Sequence, residues 1–218
     1  MNPGGLQAVL VDMDGTLIDS ERLWFEVECE VVARLGGTWG PADQERLVGG
    51  SLHLATAYMK EKTGTDVSED EIGRWSLDGM IERLTTHVPL LPGAKELLTG
   101  LYDARVPTAL VTSSQRVMTE PVLDAIGRDL FALTIVGDEV GHTKPHPEPY
   151  LTAAERLGVD PARCVAIEDS PNGLTSAEAA GCFTVAVPGL IPVQANERRT
   201  LVGSLLEVDV PFLRALVA

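Results

Sequence analysis

Along most of the chain, short apolar runs rich in β-branched residues alternate with stretches in which apolar positions recur at helical spacing. Ala8-Val9-Leu10-Val11 is an unbroken apolar run that stops at an acidic turn, Asp12-Met13-Asp14-Gly15-Thr16. It predicts a buried parallel strand over 7–12 with the turn at its carboxyl end. From Ser20 the period changes, with Leu23, Val27, Val31 and Leu35 on one stripe until Gly36-Gly37 ends it, which predicts a helix over 20–35. Further helices are expected around 52–62 and after Ser68, where Ser68-Glu69-Asp70-Glu71 has the spacing of a capping box. No strand is expected between Pro41 and His87. Gly49-Gly50 reads as a turn between helices and not as a phosphate loop, because no strand precedes it.

After Pro89-Leu90-Leu91-Pro92-Gly93 the alternation becomes regular: helix 94–103, strand 108–112, helix 115–126, strand 133–136, helix 149–157, strand 164–168, helix 174–180 and strand 183–187. Strands alternating with helices imply a parallel sheet covered on both faces. The expected fold class is therefore α/β, a doubly wound, Rossmann-like sheet with an inserted helical cap. Residues 1–18 and 88–218 form the core domain and residues 19–87 the cap. Ligands of such sheets bind beyond the carboxyl ends of the strands, so the residues ending each strand are those to inspect.

Charge narrows the partners. Among 218 residues, Asp and Glu number 32 against 17 Lys and Arg, a formal net charge of -15. That field repels nucleic acid and anionic lipid, so an anionic small substrate must be held by a few placed cations or a bound metal. Cys29, Cys164 and Cys182 are odd in number and far apart, and they read as reduced thiols of a cytoplasmic protein. The first residues lack a basic stretch, and the apolar run after them is broken by Asp12 and Asp14, so neither a signal peptide nor a membrane span is expected.

Four groups converge at the predicted strand ends: Asp12 and Asp14, Thr112-Ser113-Ser114, Lys144 in the loop Thr143-Lys144-Pro145-His146-Pro147, and Glu168-Asp169. Singly, each is ordinary turn or cap chemistry. Together, several carboxylates at one sheet edge repel unless a divalent cation neutralises them, which predicts an oxygen-ligated Mg²⁺. A lysine and a hydroxyl beside it complete a cradle for a phosphoryl group.

The segment Val11-Asp12-Met13-Asp14-Gly15-Thr16-Leu17-Ile18-Asp19-Ser20-Glu21 resembles the first motif of haloacid dehalogenase-type phosphatases. Thr112, Lys144 and Glu168-Asp169 fall on the second, third and fourth motifs in the family's order. The similarity is greatest to the branch of β-phosphoglucomutase and sugar-phosphate phosphatases, whose helical cap follows the first motif. The resemblance implies a phosphoric monoester hydrolase in which Asp12 is the nucleophile and Asp14 the general acid/base. It further implies that Mg²⁺ would be held by Asp12, the main-chain carbonyl of Asp14 and Asp169, with Glu168 outside that set. Lys144 neutralises Asp12 and phosphate, while Thr112 and the Ser113 N–H donate to phosphoryl oxygens. The implied partner is a small phosphorylated metabolite, with no nucleic acid or membrane; the oligomeric state stays open.

Two other classes compete. A receiver-like signalling module also carries phosphate on Asp, but it lacks a cap and places its acceptor on a later strand. A dehalogenase or phosphonate-cleaving relative has no need of the acid at Asp14. Within the branch, the mutase pattern puts a histidine and a cap arginine where this chain has Trp24 and Leu52, the latter after Gly50-Ser51. Neither can bind a second phosphate, so a phosphatase is expected over a mutase. Trp75 is read as a packing residue, and Trp24 equally as a packing residue or a sugar-stacking face. His53, His87, His142 and His146 show no ligand spacing and read as surface or loop histidines, so no zinc site is expected.

Overall fold

The computed structural model describes residues 5–47 and 52–218. Six strands make one sheet: β1 (Ala8–Val11), β2 (Thr108–Val111), β3 (Leu133–Ile135), β4 (Cys164–Glu168), β5 (Phe183–Ala186) and β6 (Arg199–Leu201). All pairings are parallel and the order is β3-β2-β1-β4-β5-β6. The chain therefore leaves β1 in one direction and later returns to its other side, which makes the carboxyl end of β1 the switch point where a crevice opens.

The helices are α1 (Ser20–Arg34), α2 (Pro41–Leu47), α3 (Leu52–Thr63), α4 (Glu69–Thr86), α5 (Ala94–Asp103), α6 (Arg116–Ile126), α7 (Glu148–Leu157), α8 (Pro171–Ala179) and α9 (Val210–Leu216). Every residue of β1, β2 and β4 is buried, the mark of strands covered on both faces. On one face Ala8, Leu10, Ala109, Val111, Ile135 and Ala166 meet Tyr150 and Ala153 of α7 and Ala177 of α8. Alanines at the contact let the helices sit close, and each fully buried Leu or Ile there contributes roughly 1.5–3 kcal/mol.

Two compact units emerge, Met1–Asp19 with Pro89–Ala218, and Ser20–Val88. In the second, α4 packs on both α1 and α3. The Ser68 hydroxyl caps α4 by accepting from the Glu71 N–H at 3.2 Å. Arg83 of α4 grips α1 through Glu30 at 2.7 Å and Glu26 at 3.6 Å. Trp75 lies beneath the Arg34 guanidinium, 3.4 Å from the ring centre, and so serves packing. Buried Asp43 of α2 accepts from the Gly40 N–H at 2.9 Å and the Tyr58 hydroxyl at 2.8 Å, and pairs with Lys62.

The expected doubly wound parallel sheet is present, with its five expected strands ending within a residue or so of their predicted ends. Three elements lie outside the expectation. Helix α2 has no apolar stripe, β6 is three residues of Arg-Thr-Leu on the sheet edge, and α9 is seven residues long. Elements this short carry too few periods to be told from a loop. The expected Gly49-Gly50 turn and Ser51 lie outside the described residues.

Candidate active site

Register builds the site. Val11 pairs with Leu110 on one side and with Ile167 on the other. The next residues, Asp12, Val111 and Glu168, are therefore level, and Asp14, Thr112 and Asp169 follow just beyond. The Asp12 N–H still donates to the Ile167 carbonyl at 3.0 Å, so Asp12 is the last rung of the ladder and shares its rigidity.

Lys144 arrives from the loop between β3 and α7. Its ammonium donates to Asp12 Oδ1 at 2.5 Å, Glu168 Oε1 at 2.6 Å and the Val111 carbonyl at 2.8 Å, which uses all three protons. Burial works against this charge, but Asp12 and Glu168 outweigh it and hold the lysine above its ordinary pKa. Glu168 is fully buried and fully engaged. Its Oε1 also accepts from the Tyr150 hydroxyl at 2.6 Å, its Oε2 from the Ser170 hydroxyl at 3.2 Å, and a Cβ on Gly173 would collide with the carboxylate. Burial, then the Glu168 charge, pushes the Tyr150 hydroxyl well above its ordinary value, so it stays a donor.

The two aspartates of the first loop differ. Asp12 is buried, and burial followed by repulsion from Glu168 raises its carboxyl well above the ordinary value despite Lys144. Asp14 is half-buried, and its Oδ2 accepts from the Ser114 hydroxyl at 2.7 Å and the Thr112 hydroxyl at 3.2 Å. Thr112 Oγ1 in turn accepts from the Ser114 N–H at 3.0 Å. Gly15, at φ +79°, turns the loop where a Cβ would run into the Asp169 carboxylate. Asp169 Oδ1 takes a long bond from the Thr16 hydroxyl, 3.4 Å. Burial, then Glu168, pushes its carboxyl up to about 7.

Asp12, Glu168 and Asp169 each offer a carboxylate oxygen within 4.8 Å of the others, against the single Lys144 ammonium. Burial, then repulsion from Glu168, raises both Asp12 and Asp169, and a donor set of hard oxygens without imidazole or thiolate suits Mg²⁺. The donor set thus fits the expected cation. Glu168, left outside the metal set on sequence, joins this cluster, although both its oxygens already have protein donors.

Of the residues singled out in the sequence, Asp12, Asp14, Thr112, Lys144, Glu168 and Asp169 come together at one sheet edge. Thr112, expected to face phosphate, here bonds Asp14. The Ser113 side chain is exposed while its carbonyl packs on Gly137. Sequence reasoning missed Ser114 as a donor to Asp14, and Tyr150, whose place in an apolar helix stripe reads as core. The histidine reading needs correction in one place: His142, His146 and Glu148 bring potential ligand atoms within 4.8 Å of one another, because the loop folds back onto the first turn of α7. His53 instead faces Glu69 at 3.6 Å, and the His87 N–H closes α4 on the Arg83 carbonyl at 2.8 Å.

A doubly wound sheet with carboxylates and a buried lysine gathered at its switch point defines an α/β enzyme that takes its ligand in the crevice beyond the strand ends. The chain belongs to the haloacid dehalogenase-like hydrolase family, whose model matches residues 6–181. It is similar to hexitol phosphatase B of Escherichia coli (strain K12), 32% identical across 99% of this chain and 96% of that protein. Validoxylamine A 7'-phosphate phosphatase of Streptomyces hygroscopicus subsp. limoneus is also 32% identical, across 95% and 98%. A crystal structure of a CbbY mutant from Rhodobacter sphaeroides in complex with xylulose-(1,5)bisphosphate shares the fold at a TM-score of 0.83. That match is 26% identical and covers 96% of this chain and 99% of that one. Among the described residues no helix is long and apolar enough to cross a membrane.

Proposed function

We propose that this phosphatase is Mg²⁺-dependent and hydrolyses a small phosphorylated sugar or polyol through an aspartyl phosphate on Asp12. The observation that carries the reading is the contrast between the two first-loop aspartates. Asp12 is buried against Lys144 and level with the strand ends, while Asp14 is held aside by two hydroxyls. Different surroundings suit one carboxylate to nucleophilic attack and the other to proton transfer.

Mg²⁺ would be held by Asp12, the main-chain carbonyl of Asp14 and Asp169, and supplies the positive charge that lets an anionic ester approach this acidic edge. Lys144 fixes Asp12 Oδ1, which leaves Oδ2 to form the bond to phosphorus as the bond to the alcohol oxygen breaks. Asp14 gives its proton to that oxygen. It then takes one from the water whose oxygen attacks the aspartyl phosphate, and the Asp12–phosphorus bond breaks to release inorganic phosphate. Thr112 and the Ser113 N–H donate to the phosphoryl oxygens. Thr112 exchanges Asp14 for substrate in doing so, and Ser114 keeps the acid in place.

The helical unit serves as the cap that selects substrate, with hinges near 18–20 and 87–92. Trp24 and Leu52 supply apolar surface at the positions where a mutase carries polar groups for a distal phosphate. The relatives named for a hexitol and for validoxylamine 7'-phosphate support a polyhydroxylated monophosphate. The test supplies hexitol and hexose 6-phosphates, and separately β-glucose 1-phosphate with a trace of glucose 1,6-bisphosphate, with Mg²⁺ or EDTA. Phosphate release that needs Mg²⁺ is expected. Isomerisation faster than release would replace the phosphatase reading with a mutase.

A further inference from the structure

We propose that His142, His146 and Glu148 form a transition-metal site, separate from the carboxylate cluster, on the loop that carries Lys144. The donors are already gathered. Glu148 Oε2 lies 2.8 Å from His142 Nδ1 and 3.9 Å from His146 Nδ1, and one ligating atom from each residue falls within 4.8 Å of the others. Ligands about 2.0–2.1 Å from a tetrahedral Zn²⁺ stand roughly 3.3 Å apart, a separation between the two observed here. The imidazole ring centres are 4.5 Å apart, with the ring planes tilted by 31°.

A frame of hydrogen bonds holds these donors. The Gly141 N–H ties Glu148 Oε1 at 2.6 Å and leaves Oε2 to face the rings. The His146 N–H donates to the Thr143 carbonyl at 3.0 Å, and the His146 carbonyl accepts from the Ser176 hydroxyl of α8 at 2.6 Å. Glu148 is the first residue of α7, so the helix fixes where its carboxylate stands. Binding replaces the proton shared by His142 and Glu148, and the long 3.2 Å bond from the Glu148 N–H to His146 Nδ1, with three coordinate bonds.

Donor chemistry separates the two sites. Two imidazoles and a carboxylate select Zn²⁺, Co²⁺ or Ni²⁺ over Mg²⁺, the reverse of an all-oxygen cluster. Three protein ligands also leave a position open for water or an anion. Lys144 stands two residues from each histidine, so a metal here clamps the loop whose ammonium holds Asp12 and Glu168. The proposal stands whether or not the phosphatase chemistry is as described.

The test is calorimetric titration of the full chain with ZnCl₂ in millimolar Mg²⁺, beside His142→Ala, His146→Ala, the double variant and Asp169→Asn. Wild type and Asp169→Asn should each bind Zn²⁺ at the site. Each histidine variant should bind at least about tenfold more weakly, the loss that even a residue supporting a metal ligand carries, and the double variant should lose the site. Both histidines are exposed, so these variants keep the fold. Absence of binding by wild type up to about 100 µM Zn²⁺, a free energy near 5–6 kcal/mol, would overturn the proposal. So would undiminished binding by the double variant, or binding lost in Asp169→Asn, which would assign the metal to the carboxylates.

Discussion

Lys144 is a single ammonium asked to balance a cluster of carboxylates, and the imbalance organises the chemistry at the residue scale. Three acceptors in fixed directions satisfy it completely, so it works as a placed charge and not as a proton carrier. Asp12→Asn keeps the shape and one acceptor for Lys144 but removes the proposed nucleophile. Hydrolysis should fall at least about a hundredfold, with the circular dichroism spectrum unchanged; a smaller loss in initial-rate assays would dismiss the covalent route. Another buried carboxyl, Glu28 of the helical unit, accepts from the Trp39 indole at 3.0 Å. Burial pushes it up to about 7, against the Trp39 bond and with a further rise from Glu21. The folded chain thus keeps a proton that the unfolded chain releases between the ordinary glutamate value and about 7. Stability falls as pH rises through that window, with the full cost present above it. Glu28→Gln should gain on the order of 2 kcal/mol over wild type at pH 8 and nothing at pH 4, read from urea melts. An equal gain at both pH values would exclude Glu28 as the source.

At the scale of elements, the first loop shows how backbone conformation and charge placement are one problem. The Gly15 N–H donates to the Ile18 carbonyl at 2.9 Å and Leu17 N–H to Met13 at 2.9 Å, so the chain reverses within a few residues of β1. That reversal needs a positive φ at Gly15, and the same residue must lie against Asp169. Gly15→Ala therefore strains the turn by about 1–2 kcal/mol and displaces a proposed metal ligand. The sheet should survive, while the Mg²⁺ concentration for half-maximal activity rises about tenfold or more; an unchanged Mg²⁺ titration would show that Asp169 is not held this way. Strands β1, β2 and β4 were legible because buried parallel strands are continuous apolar runs. Helix α2 was not, since its one buried residue is Asp43, kept there by Gly40, Tyr58 and Lys62.

For the whole molecule, the proposed cap must admit substrate and then exclude water, so closure should depend on ligand. Small-angle scattering should show compaction when Mg²⁺ and trifluoromagnesate are added together; identical profiles with and without them would argue against a closing cap. The alternation of strands and helices, and hence the doubly wound sheet, was determined by the sequence alone, because hydrophobic period is a local property that survives without knowledge of neighbours. So was the gathering of Asp12, Thr112 and Glu168, since a parallel sheet brings all its strand ends to one edge. What only the tertiary structure decided is which atoms meet there. Lys144 reaches Asp12 across 132 residues of sequence, Tyr150 reaches Glu168 from within an apolar stripe, and Ser114 rather than Ser113 bonds Asp14. The loop after β3 likewise closes two histidines onto Glu148. These contacts depend on strand register and loop conformation, which are set by the packing of distant segments and leave no periodic trace in the chain.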